Sequence, residues 1–113
     1  MRLFARVPSV DPKEAASLVA RREAVVLDVR QTGEWTRGHI QHAIHIPLGQ
    51  LSDRLDELPT GKTIITACLS GHRSASAARK LARAGHDVLN LRGGLTAWRR
   101  DGFPFSADRR RRR

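Results

Sequence analysis

Short apolar runs separated by helical segments constrain the fold of this chain more than any other feature. Residues 24–29 and 63–67 are rich in β-branched side chains and almost wholly apolar, which is typical of strands buried on both faces of a sheet. Residues 43–46 and 88–91 predict two further strands. Because helical patterns lie between these runs, we expect parallel strands covered by helices on both faces, an α/β fold.

The segments between the strands carry helix signals. Asp11 is a plausible N-cap, with Pro12 at the first helical position and Glu14 in the first turn. Leucines at helical spacing predict a second helix over residues 48–58, and an alanine-rich segment predicts a third over 74–84, with Ala75, Ala78, Leu81 and Ala82 on its apolar face. A short turn or helix at 32–37 and a helix after Gly93-Gly94 complete the pattern.

The length of 113 residues fits one compact domain, which we assign to residues 1–108. Arg109 to Arg113 supply five of the ten net positive charges, and a like-charge run of this kind is typical of a disordered, solvated tail. Such a tail could bind polyanions weakly by neutralising phosphates. The remaining positive charge of the body suits anionic substrates.

Cys68 is the only cysteine in the sequence, so no internal disulfide can form. A lone thiol favours a reducing compartment. The N-terminal residues contain no apolar stretch of signal-peptide length, and no segment approaches the roughly 20 apolar residues that a membrane span requires. We therefore expect a cytoplasmic location and no membrane span.

The residues after Cys68 predict an anion-binding loop. Cys68 follows a predicted buried strand, and ligands of parallel α/β sheets bind at the carboxyl ends of strands. Gly71 allows the loop to curl, Ser70 and Ser74 offer hydroxyl donors, and Arg73 adds a fixed charge before the next helix. Such surroundings lower the pKa of a thiol and make it nucleophilic. The alternative is a small buried apolar cysteine, the commoner role of an isolated one.

The segment 68–74 resembles the C-x-x-G-x-R-S active-site loop of the rhodanese family. The resemblance extends over about residues 6–105 and includes, in family order, Asp28-Val29-Arg30, Glu34-Trp35, Gly38-His39-Ile40, Ala43, Ile46-Pro47, Leu91-Arg92-Gly93-Gly94, Trp98, Gly102 and Pro104. It implies a three-layer α/β/α domain with a central, mainly parallel five-stranded sheet. In the turn after Ile40 this sequence departs from the family pattern, with Gln41, His42 and His45 in place of Pro, Gly and Asn.

By this resemblance, Cys68 is the catalytic nucleophile. It attacks the outer sulfur of thiosulfate or a related donor, sulfite leaves, and the persulfide then passes its sulfur to cyanide or a thiol. Residues of the loop would bind the substrate, Arg73 through the sulfonate and the others around the persulfide: Leu69, Ser70, Gly71, His72, Arg73 and Ser74. No cofactor is implied. Because the chain has no second cysteine, the sulfur acceptor must come from outside it.

Three further residues are expected to support the loops around the site. Asp28 and Arg30 follow a strand and more plausibly form an ion pair than take part in the reaction, and His39 belongs to the Gly-His-Ile turn of the family. The spacing of His39, His42 and His45 suggests a metal site, but a strand does not keep helical phase and no acidic or cysteine ligands complete the set. We predict no metal.

Three other functions compete with a sulfurtransferase. Cell-cycle phosphatases and arsenate reductases also use a cysteine–arginine loop, but the phosphatase loop has five intervening residues, whereas four separate Cys68 from Arg73. A non-catalytic binding module would be expected to have lost the cysteine or the loop, and this chain keeps both. A persulfide carrier that delivers sulfur to a protein partner is the leading alternative.

Overall fold

The computed structural model describes residues 7–107. Seven strands are present in this part of the chain: β1 (Ser9–Val10), β2 (Ala24–Asp28), β3 (His39–Ile40), β4 (Ile44–His45), β5 (Thr63–Ala67), β6 (Val88–Leu91) and β7 (Phe105–Ser106). Four α-helices accompany them: α1 (Pro12–Ala20), α2 (Thr32–Arg37), α3 (His72–Arg83) and α4 (Gly94–Arg100). The predicted basic tail, Arg109 to Arg113, lies outside the described residues.

Five of the strands form one sheet in the order β1-β6-β5-β2-β4, and every neighbouring pair is parallel. The predicted α/β class and five-stranded parallel sheet are therefore confirmed. Strand β5 lies at the centre, between β2 and β6, so its carboxyl end opens at the middle of the sheet edge. The sequence analysis missed β1 and a separate antiparallel pair, β3 with β7, because two-residue strands carry too little periodicity to detect.

Apolar cores cover both faces of the sheet, as the three-layer arrangement requires. On one face Leu27 and Ile64 pack with Leu81 of α3. On the other face Val26 and Ile65 pack in the core that holds Trp98 of α4. Successive strand residues thus point to opposite cores, which explains why β2 and β5 are apolar along almost their whole length.

The predicted helix over residues 48–58 is wrong. The segment forms two 3₁₀ turns instead, Leu48–Asp53 and Leu55–Glu57, that are separated at Arg54. Its backbone hydrogen bonds join residues three apart, from Arg54 N to Leu51 O and from Leu58 N to Leu55 O. Leu48 and Leu51 are three residues apart, as are Leu55 and Leu58, a spacing that suits a 3₁₀ turn as well as an α-helix.

Helix α3 begins at His72, two residues before the predicted start, because Gly71 adopts a left-handed conformation (φ +119°) and acts as the N-cap. The predicted apolar face was partly wrong. Ala82 is exposed and Ala75 is only half-buried, whereas the buried face consists of Ser74, Ala77, Ala78 and Leu81. The sequence analysis named Ser74 as a hydroxyl donor but did not place it on the buried face of α3.

The other helix signals are borne out. Asp11 Oδ1 accepts a hydrogen bond from Glu14 N at 2.8 Å, which caps α1 as expected. A short helix, α2, stands at the predicted position, and α4 begins at Gly94 with Gly93 as its N-cap. Of the helices between residues 7 and 107, none is long and apolar enough to span a bilayer.

Candidate active site at Cys68

Cys68 stands where the central strand ends and the chain turns towards α3. Strand β5 ends at Ala67, and three residues after Cys68 the left-handed Gly71 redirects the chain into the helix. The turn is so short that the first residues of α3 fold back over the cysteine. The loop predicted over residues 68–74 is therefore half loop and half helix, with His72, Arg73 and Ser74 in the first helical turn.

The sulfur of Cys68 lies inside a ring of hydrogen-bond donors. The backbone N–H of Gly71 donates to Sγ at 3.1 Å, and the backbone N–H of Ser74 does so at 3.3 Å. Ser74 Oγ lies 3.3 Å from the same sulfur. The cysteine is 1% exposed. It is buried and belongs to the core that holds Leu27 and Leu81, but three polar contacts are also directed at its sulfur, unlike the case of a cysteine that only fills apolar space.

These contacts change the acidity of the thiol. Burial raises the pKa of Cys68, because it disfavours the charged form. Hydrogen bonds from the Ser74 hydroxyl and from the backbone N–H groups of Ser74, Gly71 and Ser70 outweigh that effect, and the pKa of Cys68 is lowered below its ordinary value. The donors therefore favour the thiolate, which is the nucleophilic form.

The hydroxyl of Ser74 has two partners within reach. It donates to Gly71 O at 3.2 Å, and the thiol of Cys68 donates to it at 3.3 Å. When the thiol loses its proton, the same hydroxyl can turn and donate to the sulfur instead. Ser74 is fully buried, so water does not compete for this exchange.

Two residues that the sequence analysis did not single out hold the loop from beneath. Thr66 Oγ1 donates to Asn90 Oδ1 at 3.1 Å, and Asn90 Nδ2 donates to Gly71 O at 3.4 Å. This chain of contacts joins β5, β6 and the peptide group that follows Gly71. A polar residue in the otherwise apolar run Val88–Leu91 was the signal in the sequence that could have indicated it.

Helix α4 holds the other side of the loop. Leu95 N donates to Cys68 O at 2.9 Å, and Thr96 N donates to Leu69 O at 3.2 Å. This contact is possible because Gly94 has no side chain: a Cβ there would lie 2.4 Å from Cys68 O and 2.5 Å from Leu69 O. Gly94 also has a positive φ of +58°, which favours glycine. The first turn of α4 therefore sets the position of the cysteine backbone.

Arg73 is paired with Glu34 of α2. Its Nη1 and Nη2 donate to the two carboxylate oxygens of Glu34 at 2.7 and 3.0 Å. The hydrogen bond with Arg73 lowers the pKa of Glu34 to about 2, although partial burial opposes it. The sequence analysis expected Arg73 to meet the sulfonate of a substrate, but the structure shows its charge already balanced by a carboxylate. The pair joins α2 to the start of α3.

The remaining residues of the predicted substrate loop face outwards. Leu69, Ser70 and His72 are exposed, and Leu69 is a large apolar side chain that is half exposed. Leu69 forms part of the wall of a cleft beside the loop, together with Glu34 and residues of α4. The structure thus divides the loop into inward groups that contact the sulfur and outward groups that border its surroundings.

Asp28 and Arg30 form a buried ion pair behind the site. Arg30 Nε donates to Asp28 Oδ1 at 3.0 Å and Nη2 donates to Oδ2 at 2.8 Å, while Nη2 also donates to Gly38 O at 2.7 Å. Asp28 is 0% and Arg30 5% exposed. The pair connects the end of β2 with the turn after α2, and neither side chain contacts the sulfur of Cys68.

The histidines of the predicted turn stack on Trp35. The ring centroids of His39 and Trp35 are 3.5 Å apart and those of His45 and Trp35 are 4.6 Å apart, both nearly parallel. His39 Nδ1 lies 3.0 Å from Trp35 O, and His42 is exposed with a φ of +68°. Within residues 7–107 no three His, Cys, Asp or Glu side chains are arranged to hold a metal ion.

Comparison with known proteins gives a family match over most of the chain. The model of the rhodanese-like domain matches residues 11–101. A sulfurtransferase of Allochromatium vinosum is 36% identical over 103 residues, which cover 89% of this chain and 96% of that protein. A thiosulfate sulfurtransferase of Coxiella burnetii is 31% identical over 87 residues, 76% of this chain and 81% of that protein.

Solved structures agree with these matches. A rhodanese-related protein from Thermoplasma volcanium superimposes with a TM-score of 0.81 at 28% identity, and the match covers 88% of this chain and 97% of that one. Some relatives are longer. A Bacillus subtilis protein named provisionally as a sulfur carrier is 39% identical over 74 residues, and this match spans only 40% of its length.

Proposed function

We propose that this chain, which belongs to the rhodanese-like domain family, moves a sulfane sulfur from thiosulfate or a related donor to a thiophilic acceptor through a persulfide on Cys68. Sulfur transfer in general is supported by the family match and by relatives named sulfurtransferase. The observation that carries the specific proposal is the convergence of the Gly71 and Ser74 amides on Sγ of Cys68.

The reaction has two steps. In the first, the thiolate of Cys68 attacks the outer sulfur of thiosulfate, the sulfur–sulfur bond of thiosulfate breaks, and sulfite leaves with the bonding electron pair. In the second, an acceptor such as cyanide or a thiolate attacks the outer sulfur of the persulfide, and Cys68 leaves as a thiolate. The donors that favour the thiolate before the reaction are the groups that stabilise it again as the leaving group.

The inward groups of the loop have the roles that this scheme requires. The backbone N–H groups of Gly71 and Ser74 and the Ser74 hydroxyl hold the sulfur anion. We assign Arg73 a positioning role, because Glu34 balances its charge and the pair joins α2 to the first turn of α3, which carries the donors of Ser74. Leu69, Ser70 and His72 are exposed and would border the donor or the acceptor.

Mass spectrometry of the intact protein tests the proposal. Incubation with thiosulfate is expected to add the mass of one sulfur atom, and cyanide is then expected to remove it with release of thiocyanate. Cys68→Ser keeps a small side chain that can form hydrogen bonds but lacks the reactive sulfur, and it should show neither event. Ser76→Ala, a half-buried change on the same helix, serves as the folded control. Equal thiocyanate production by Cys68→Ser would refute the proposal.

A second candidate is a persulfide carrier that hands its sulfur to a protein partner. The similarity to the Bacillus subtilis protein with a sulfur-carrier name favours it. A carrier should accept sulfur from thiosulfate and release it slowly to cyanide and small thiols. Fast release to small acceptors in single-turnover experiments would contradict the carrier and support the transferase. For either function the single cysteine, Cys68, supports a cytoplasmic location.

A further inference from the structure

A cleft of about 640 Å³ lies directly beside the loop that carries Cys68. Leu69, the residue after the cysteine, forms one wall, and Leu95 and Phe105 contribute further apolar surface. Leu69 is 50% exposed, so its apolar side chain is accessible to a molecule in the cleft. The volume falls within the range typical of sites for small organic molecules, about 300–1,000 Å³, and is far larger than cyanide needs.

The cleft also carries positive charge that the ion pairs among residues 7–107 do not balance. Four arginines line it. Arg30 is paired with Asp28, and Arg100 is paired with Asp101. The other two, Arg37 and Arg99, take part in none of the ion pairs found among residues 7–107.

Among the described residues, the carboxylate in the wall of the cleft does not offset these charges. It belongs to Glu34, which is held by Arg73 at 2.7 Å. Arg99 is further fixed by Phe105, because its guanidinium carbon lies 4.2 Å from the centre of that ring. The cleft therefore combines an apolar wall with two available guanidinium groups, one of which is held in place. Guanidinium groups bind carboxylates through paired hydrogen bonds.

We propose that this cleft binds the sulfur acceptor, and that the acceptor is a small organic thiol bearing carboxylates, held by Arg37 and Arg99. The inference rests on the proposed function, since it names the acceptor for the persulfide of Cys68. The thiolate of the acceptor attacks the outer sulfur of the persulfide, the sulfur–sulfur bond breaks, and Cys68 leaves as a thiolate. The acceptor departs as a persulfide, so no outside oxidant or reductant is needed.

Single-turnover discharge of the persulfide tests the inference. The protein is first loaded with thiosulfate and desalted, so that binding of the donor no longer affects the rate. It is then mixed with glutathione, which carries two carboxylates, with glutathione diethyl ester, which carries none, or with cyanide. Loss of the mass of one sulfur atom is followed in time at several acceptor concentrations.

The decisive variant is Arg37→Gln/Arg99→Gln. The measured quantity is the second-order rate constant for loss of the persulfide sulfur to glutathione, divided by the rate constant for cyanide. We expect this ratio to fall about tenfold for each arginine replaced, a typical loss for a charge-assisted contact. The same ratio for the diethyl ester should change less than twofold. Arg79→Gln/Arg83→Gln removes the same charge from exposed positions of α3 outside the cleft and should leave the glutathione ratio unchanged.

Each failure has a distinct signature. If Arg37→Gln/Arg99→Gln leaves the glutathione-to-cyanide ratio unchanged, the cleft is not the acceptor site. The same conclusion follows if the ratio for the diethyl ester falls as much as the ratio for glutathione. If the control pair on α3 reduces the glutathione ratio as much as the pair in the cleft, net charge explains the effect and the site is overturned. If wild-type protein never acquires a persulfide from thiosulfate, the proposed function itself fails.

Discussion

Replacement of Gly94 by alanine tests how the cysteine loop is positioned. The new Cβ would lie 2.4 Å from Cys68 O, 2.5 Å from Leu69 O and 2.7 Å from Leu69 C. Real Cβ atoms essentially never approach another heavy atom closer than 3.0 Å. All three atoms belong to the backbone, so no side chain can rotate away. The first turn of α4 and the cysteine loop must therefore separate by at least about 0.6 Å.

The size of the effect follows from that displacement. A misplacement of about 1 Å at a reacting group can cost on the order of a hundredfold in rate, so we expect thiosulfate–cyanide turnover by Gly94→Ala to fall by about tenfold to a hundredfold. The overpacked contact adds about 1–3 kcal/mol of destabilisation. Alanine at a φ of +58° adds roughly 1–2 kcal/mol of backbone strain.

Gly102→Ala is the matched control for backbone strain. Gly102 has a φ of +80°, but a Cβ there would meet no atom within 4 Å. We expect it to lower the free energy of unfolding by roughly 1–2 kcal/mol and to leave turnover near that of the wild type. Thermal unfolding and steady-state turnover should be measured on both variants below their unfolding temperatures. If Gly94→Ala turns over as fast as Gly102→Ala, the close approach of α4 does not position the cysteine.

Three further predictions concern acidity and backbone strain. Ser74→Ala removes a donor that lowers the pKa of Cys68, so the pH midpoint for alkylation of the thiol should rise, whereas Ser76→Ala should not move it; identical midpoints for wild type and Ser74→Ala would contradict the assigned hydrogen bond. The folded-state pKa of Glu34, about 2, lies below the ordinary value of 4.5, so the stability that its ionised form contributes is complete above about pH 4.5 and is lost as the pH falls towards 2. Denaturant unfolding should therefore show wild type about 1 kcal/mol more stable than Glu34→Gln at pH 7. This value is modest because the ion pair is partly exposed. If the difference in stability between the two proteins does not narrow on acidification, the ion pair does not stabilise the fold as assigned. His42→Gly should raise the free energy of unfolding by about 0.5–1 kcal/mol, because the backbone there has a φ of +68°; a variant less stable than wild type in thermal unfolding would show that the histidine side chain compensates for the strain.

The left-handed backbone at His42 also explains a departure noted in the sequence. The family pattern has glycine at this position, and the structure shows why: the residue lies in the region of φ that glycine adopts most easily. The histidine is tolerated because it is exposed and lies outside both cores. The sequence revealed the substitution, but only the backbone conformation shows its cost.

The sequence by itself determined the architecture and the position of Cys68 within it. The apolar β-branched runs at residues 24–29 and 63–67 predict strands whose side chains are buried on both faces of the sheet. This burial requires helices on both faces of the sheet. The position of Cys68 after a buried strand, followed by Gly71 and Arg73, could be predicted from the same kind of pattern. The pattern of apolar and polar residues reflects backbone preference and burial. The strands and the position of Cys68 after one of them depend mainly on these two properties.

Only the tertiary structure decided which groups meet at the sulfur and which do not. Arg73 pairs with Glu34, 39 positions earlier in the chain, a partner that the sequence pattern did not indicate. Asn90 and Gly94 gain their roles because β6 and α4 lie beside the loop. Pairings between residues so far apart in the chain depend on how the helices and strands pack. The sequence does not show which of several possible partners a side chain will contact.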